Sequence, residues 1–521
     1  MTTVLLAIDD VSLPFRKKVC LYLNKPDVRP EPVLTPSPKG SGSPDDVAAH
    51  FYGTVLHDAG KFRMWYYACH QGVNPDWPAR MKQQLARMNT GLSGLSDDTI
   101  QMGPVCYAES DDGIHWSKPP LGQVLFKGNR ENNAIDLPHT LVCGVAVIRD
   151  DADPDPARRY KMVYEFLPEQ TEPPIPEYGS VSTIACAVSP DGLRWTVTAI
   201  PFPNQFVEPC SFIRHRGQYI THYQVTPGDK RGGVCDEGGT FGGRTGMAHV
   251  THDFDHWPDV WVRAFGLPEP VDRSDVRYDQ AHLGVGAASF GNVCVGLYGL
   301  WHNHPFGDPF GRISCDLGLV VSNDGVHFRE PGSTPGQAYI HRDDSPVPPV
   351  PGGGPNTMIG PFNTILCQGN GILNVGDETR IYHGRWRNME RSDLSGPYYH
   401  AEIALATLPR DRWGALGLNP GAGEGTICSA PVTLPAGCAF TLNADGVAGL
   451  TIELLDEQFR PLPGFAGGQV AGPDGLDCPV RWKGHALSEL GGRPVRIQVK
   501  MKRTGDYLPR VYALYVNETR S

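Results

Sequence analysis

Short runs alternating apolar and polar residues follow one another along most of this chain, and a single recurring turn interrupts them. Val105–Ala108, Ile184–Val188, Gly246–Val250, Leu317–Val321 and Ile403–Ala406 each lead into it. The turn is Ser110–Trp116, and it returns as Ser189–Trp195 and Ser322–Phe328. Thr251–Trp257 is a weaker copy and Thr407–Trp413 a worn one. Asp-Gly at its centre supplies the positive backbone angles of a tight hairpin, and the closing aromatic re-enters the core. A second element recurs upstream of each turn: Lys61–Tyr67, Arg159–Tyr164, Gln218–Tyr223, Val293–Tyr298 and Arg380–Gly384. The period predicts five units of four strands arranged radially, an all-β, five-bladed β-propeller.

The remainder falls around that ring. Residues 1–44, Pro-rich from Asn24, read as a lead-in segment that wraps onto the propeller of residues 45–413. His70 to Gly103 is an insertion in blade one; its Met81–Met88 portion has helical spacing, and it reads equally as a lid or as surface embellishment. Asp150–Pro156 has the look of a calcium loop, although Pro-rich turns there are commoner as plain solvated loops. Residues 268–277 and 346–355 are loop material. Residues 414–426 read as a linker, and 427–521 as a small C-terminal β-sandwich with strands near Ala439, Leu450, Val495 and Arg510.

Composition narrows the function classes. Gly 61 and Pro 48 in 521 residues suit short strands better than helices. A net charge of −11 argues against nucleic acid, which needs a basic face. Met1–Asp10 lacks the basic start of a signal peptide, and no apolar run is long enough to span a bilayer. The 13 cysteines are scattered through apolar runs without a CxxC pair, so buried thiols in a reducing cytoplasm are expected rather than disulfides or zinc. No metal or cofactor is expected, and self-association is left open.

Inner strands of a propeller surround its axis, so ionisable residues entering them are the candidates for chemistry. Blade one offers Asp46, with Asp45 as its substitute; blade two offers Asp136, and blade three Glu208. Blade four has Asp279 and His282, and blade five Asn363. Glu208 lies among apolar residues at a strand start, where desolvation favours a protonated general acid. Each could also be ordinary surface or structural charge, and Asp316 and Glu402, on third strands, read that way.

The layout resembles the five-bladed β-propeller glycoside hydrolases, families 32 and 43 and their relatives. Val207–Cys210 resembles the family-32 Glu-Cys segment with the Cys one residue late. The Ala49–Tyr67 hairpin resembles the strand pair following the family-32 Asn-Asp-Pro-Asn-Gly segment, but that segment is absent here. The Arg-Asp-Pro motif of blade two is absent too, so Asp136 rests on position. The resemblance implies glycosidic cleavage, with Glu208 protonating the leaving oxygen, Asp46 as nucleophile or base, and Asp136 holding the sugar or Glu208. It also implies a carbohydrate substrate, a furanoside such as a fructoside or arabinofuranoside. Trp65, Trp301 and Trp386 are candidates to stack on a sugar, although blade aromatics are more often core. His282, Asn363 and Arg385 are candidates for hydroxyl contacts, with Asp279 beside them. The rival readings are a non-catalytic glycan-binding propeller and a phosphate-dependent glycoside phosphorylase. A sialidase would need an arginine trio, and a metal-centred lyase would draw on His50, His139 and His282.

Overall fold

The computed structural model describes residues 2–77, 100–139, 142–166, 182–202, 207–225, 245–267, 280–303, 313–332, 335–348, 364–366, 368–387, 400–435 and 437–518. The insertion's helical stretch, Asp279 and Asn363 lie outside the described residues. Within them the chain is strand and loop with a few short 3-10 turns. Blade one is built from Ala48–Asp58, Lys61–Gln71 and Ile100–Ser110, and its outer edge is bridged at Cys106↔Ala134 and Glu109↔Ser117. Blade two runs Val142–Arg149, Tyr160–Phe166, Thr183–Ser189, Thr196–Ala199, and blade three Glu208–His215, Gln218–Val225, Thr245–Thr251, Val262–Phe265. Blade four follows with Gln280–Ser289, Cys294–Asn303, Ile313–Ser322 and Ala338–Ile340. In blade five the inner pieces Thr364–Leu366 and Ile372–Val375 pair with Glu378–Arg387, which His400–Pro409 follows, while Gln368–Asn370 between them pairs with the inner strand of blade one. The expected five-bladed propeller is the fold, and apolar clusters fill the seams between successive blades.

The lead-in does two separate jobs. Asp27–Val28 pairs with Thr407 and Ala406 as the outermost strand of blade five, and Leu34 bridges Ile403. The ring is thus closed by strands from both ends of the domain. Further upstream, Thr2–Leu6, Phe15–Lys17 and Val19–Leu23 join the C-terminal region, pairing with Arg510–Glu518, Glu424–Cys428 and Gly414–Leu418. Residues 414–426, expected as a linker, therefore carry one of these strands and the start of another. The C-terminal region is a 12-stranded antiparallel sheet folded over itself, nearly a barrel, around Leu416, Ile427, Phe440, Leu442, Ile452 and Val499. It packs on blades four and five through Leu6, Ile8, Ala513 and Tyr515.

The recurring turn is a compact loop rather than a two-residue hairpin. In blade one Ser110 Oγ accepts from Gly113 N at 2.8 Å, and Asp112 Oδ1 accepts from the Ile114 and His115 amides at 2.7 and 2.8 Å. Blades two and four repeat the same bonds around Ser189–Asp191 and Ser322–Asp324. Each of these loops is gripped by the second strand of the preceding blade. Trp65 Nε1 donates to Gly192 O at 2.8 Å, Tyr382 OH to Gly113 O at 2.8 Å, and His222 Nε2 lies 2.8 Å from Gly325 O. Glycine is required for φ near +75° and because the gripping side chains leave no space: a Cβ on Gly113 would stand 2.5 Å from Tyr382 OH.

Candidate active site

The axis is plugged at one level by side chains that tie the inner strands together. Asn370 Nδ2 donates to Val147 O at 3.0 Å and Phe212 O at 2.7 Å, while its Oδ1 accepts from Phe212 N at 3.1 Å. Thr54 Oγ1 accepts from Val147 N at 2.8 Å, and Ser211 Oγ donates to Val285 O at 2.7 Å. From this plug the inner strands of blades one to four each pass through a β-bulge on the way to their starts. Bulges re-aim side chains, and here they do so at corresponding places around the mouth. His50 and Glu208 each stand four residues before their plug-level residues, Thr54 and Phe212, across such a bulge. That lifts them about 10 Å from the plug.

Glu208 opens the inner strand of blade three and is partly exposed. Its Oε2 accepts from Gln224 Nε2 at 2.5 Å, Gln224 being its cross-strand partner. The second acid of this corner is Glu165, near the end of blade two's second strand, 4 % exposed. Its Oε2 has no hydrogen-bond partner. Burial first, and then the neighbouring Glu208 charge, push the Glu165 carboxyl well above the ordinary range, against a smaller pull from the Ser182 hydroxyl. Glu165 was missed from sequence. The signal was the one carboxylate of the strand Tyr160–Phe166, standing one residue before its end as Gln224 does in the equivalent strand of blade three.

The other expected residues are distributed as follows. Asp45 is fully engaged: Ser37 Oγ donates to it at 2.6 Å, Tyr66 OH at 2.9 Å and Lys118 Nζ at 2.5 Å. Asp46, 2 % exposed, accepts from Gln71 N at 3.0 Å through Oδ1, and its Oδ2 has no hydrogen bond, with Lys127 Nζ 4.0 Å away. Beside it lie His70 and Asn74, whose ring nitrogens and Nδ2 are also buried without partners. Asp136 is exposed, and its backbone amide donates to Gln123 Oε1 at 3.1 Å. Trp65 is fully buried in the seam of blades one and two, and Trp301 is 3 % exposed. Trp386 packs edge-on to His50 at 5.7 Å, and His50 stacks on Tyr67 at 4.5 Å. Burial, with His400 nearby, pushes the His50 imidazole down to about 3, so it is neutral. Arg385 is buried and holds the lead-in, donating to Pro30 O at 2.8 Å, Arg29 O at 2.6 Å and Ser345 Oγ at 2.8 Å. His282 lies in blade four's inner strand, and its side chain is outside the described residues.

Two sequence features find quieter roles. The acids of Asp150–Pro156 answer cations: Lys161 Nζ lies 3.2 Å from Asp150 and 2.7 Å from Asp153, and Arg214 lies 3.3 Å from Asp150. The ten cysteines whose side chains are described are all free thiols, nine of them buried. Among the described residues no group of three or more His, Cys, Asp or Glu is arranged to hold a metal ion.

No family model matches the chain. It is 28 % identical over 182 residues to an uncharacterised protein of Mycobacterium tuberculosis, a match covering 33 % of this chain and 45 % of that one. The chain thus spans about half the length of the curated relative it matches. Among solved structures, a glycosyl hydrolase of Bacteroides ovatus shows 14 % identity and a TM-score of 0.42, covering 75 % of this chain and 95 % of that one. A β-1,2-mannobiose phosphorylase of Listeria innocua, solved with β-1,2-mannobiose, shows 13 % identity and a TM-score of 0.43 over 75 % and 96 %. A family-43 arabinoxylan arabinofuranohydrolase of Bacillus subtilis, solved with cellotetraose, shows 11 % identity and 0.35 over 94 % and 99 %. At this level the likeness concerns how the strands are arranged. The chain's own strand pairings make it a five-bladed β-propeller.

Proposed function

We propose that this chain is a carbohydrate-active enzyme that breaks a glycosidic bond at the mouth of its propeller, with Glu208 as the general acid. The observation that carries the reading is the corner formed by Glu208, gripped by Gln224, and the buried Glu165 beside it. A partly exposed carboxyl next to a dry one, at the open end of an axis, suits proton delivery to a leaving oxygen. Asp46 is the proposed nucleophile or base. Of the two adjacent acids it is the one with an oxygen not already hydrogen-bonded, whereas both oxygens of Asp45 are occupied. In the reaction the Glu208 proton passes to the glycosidic oxygen, and the C–O electron pair leaves with that oxygen. Water or phosphate then adds at the anomeric carbon. Asp136, exposed ahead of blade two, is proposed to meet sugar hydroxyls. A furanoside is the proposed substrate class, and free thiols suit the cytoplasm proposed as its setting.

The test is a panel of aryl furanosides and pyranosides assayed with and without phosphate. Glu208→Gln is expected to lower kcat by about 10²–10⁴-fold on whichever glycoside turns over. Turnover unaffected by that substitution would overturn the assignment. Binding of sugars without turnover of any would mark a glycan-binding propeller instead.

A further inference from the structure

We propose that His400 is a substrate-contacting residue, its imidazole locked so that Nδ1 accepts a hydrogen bond from a sugar hydroxyl at the mouth. The proposal rests on the reading of the mouth as a glycoside site and deepens it by naming one of its hydroxyl contacts. His400 opens the third strand of blade five, and its side chain is 25 % exposed. Glu402, two residues on and so on the same face of the strand, is buried. His400 Nε2 lies 3.1 Å from Glu402 Oε2, and Arg385 Nη1 donates to Glu402 Oε1 at 3.4 Å. Arg385 is in turn fixed by Ser345 Oγ and by the two lead-in carbonyls. A carboxylate ion-paired with arginine only accepts, so Nε2 carries the ring hydrogen and the neutral imidazole has its lone pair at Nδ1. Among the described residues Nδ1 has no hydrogen-bond partner.

His400 belongs to the mouth rather than to the outer rim. Third strands start at the mouth end, and the charge of His400 reaches His50 on the inner strand of blade one. On a five-fold ring the seam of blades five and one lies opposite blade three, so His400 stands across the opening from Glu208. His50 is buried and stacked on Tyr67 at 4.5 Å, so His400 is the imidazole of this seam that a ligand can reach. Blade four repeats the device: His302 Nε2 lies 2.8 Å from Asp316 Oδ2, and Arg342 Nη1 donates to the same oxygen at 3.1 Å. A buried carboxylate backed by arginine and aimed at a partly exposed histidine thus occurs in two neighbouring blades. Burying such charge is costly, and a histidine that only met solvent would have no need of it. The backing fixes ring orientation and tautomer, so a hydroxyl is bound without the cost of ordering its acceptor. Being remote from the bond that breaks, the contact holds ground state and transition state alike and acts on KM rather than kcat.

Two substitutions divide the ring between its nitrogens. His400→Gln puts an amide near the Nε2 position, within reach of Glu402, and leaves nothing at Nδ1. His400→Asn puts an amide near Nδ1 and abandons Glu402. On the aryl glycoside that the wild type turns over fastest, His400→Gln is expected to raise KM about tenfold with kcat within about threefold. His400→Asn is expected to keep KM within about threefold. Equal KM values for the two variants, or a loss confined to kcat, overturn the proposal. For a glycoside that binds without turnover, the dissociation constant takes the place of KM. Long-range proton–nitrogen spectra of protein with isotope-labelled histidine read the tautomer at mildly alkaline pH with no glycoside present. His400, assigned by the signal lost in His400→Gln, is expected as the Nε2–H form, and adding the glycoside is expected to shift its Nδ1 resonance. An Nδ1–H form, or an Nδ1 resonance that no glycoside of the panel moves, overturns the proposal. If Glu208→Gln leaves turnover intact while the resonance and the KM split behave as expected, the acid assignment fails and the His400 contact stands.

Discussion

Blade two carries a buried carboxylate near each of its ends, and the two are pushed in opposite directions from the ordinary carboxylate range. Asp150, just past the inner strand at the turn end, receives Tyr219 OH at 2.5 Å and lies within 3.3 Å of both Lys161 and Arg214. Burial alone would raise it, but Tyr219, Lys161 and Arg214 outweigh burial and hold it below the ordinary carboxylate range. Glu165, at the mouth end of the same blade, has burial and another carboxylate and no such cations, and it is pushed up. The two are alike in surface exposure, but Glu165 is the more deeply enclosed, and depth and the supply of partners together decide the outcome. The turn ends are stapled, with charge cancelled inside the seams. At the mouth end Glu165 Oε2 has no hydrogen-bond partner.

The difference implies opposite responses to pH. Asp150 has a folded-state pKa below its unfolded one, so its stabilisation is present above the unfolded value and is lost as pH falls through the folded value. Glu165 has a folded-state pKa above its unfolded one, so what it contributes is present below the unfolded value and fades as pH rises towards the folded value. Acid thus loosens the turn end and favours the mouth.

The largest effect is expected from removing the turn end's cation. Lys161 is fully buried against Asp150 and Asp153, and its Nζ also donates to Arg158 O at 3.0 Å. Lys161→Met leaves two carboxylates with one partner fewer, and breaking a buried pair from one side costs about 3–5 kcal/mol. A urea midpoint that fell by less than the equivalent of about 1 kcal/mol would show that Arg158 and Arg214 suffice, and would weaken the contrast with Glu165.

Next is the loop that each seam grips. Gly113→Ala must tolerate φ of 75° and a Cβ 2.4 Å from Arg380 Nη1 and 2.5 Å from Tyr382 OH. Gly60→Ala faces φ of 79° with nothing within 4 Å. Backbone strain alone is worth about 1 kcal/mol, so that is the expected cost at Gly60, and about 3 kcal/mol is expected at Gly113. Equal costs in chemical denaturation would mean that the loop is only a turn and not a clamp between blades.

How much of this was legible follows from whether the interaction is local. The Ser110–Trp116 loop is read from residues within seven positions of one another, because Ser110 and Asp112 bond amides two or three residues on. Strand positions were legible for the same reason. The partners were not. Asp27–Val28 closes blade five some 380 residues before its neighbour at Thr407, and no local pattern announces such a pairing. Asp45 and Asp46 look alike in sequence; Lys118 and Tyr66, reached through the fold, separate them. Trp65 and Arg385 looked available for a sugar, but the former seals a seam and the latter holds the lead-in. Glu165 was hidden because its meaning depends on Gly144 and Pro209 across two strands and a seam.

At neutral pH the smallest expected effect concerns His70, beside Asp46. Its imidazole is fully buried, has no hydrogen bond at either nitrogen, and is packed edge-to-face by Trp77 at 5.3 Å and Phe126 at 4.8 Å. Burial, with help from Lys127, outweighs the opposing pull of the Gln71 and Gly72 backbone groups near the ring and pushes it down from 6.5 to about 3. His70→Phe keeps a flat ring of similar size and removes two unsatisfied polar atoms, so a gain of about 1 kcal/mol is expected. The sign at lower pH is fixed by linkage. Below 6.5 the unfolded chain takes up a proton that the folded one refuses until about 3, so the wild type loses about 1.4 kcal/mol for each pH unit across that interval. The variant loses nothing there, and its advantage should widen as the solution is acidified. A melting series in which His70→Phe is the less stable protein, or in which the gap stays constant with pH, would mean that the imidazole is satisfied and that the Asp46 corner is as closed as the turn end.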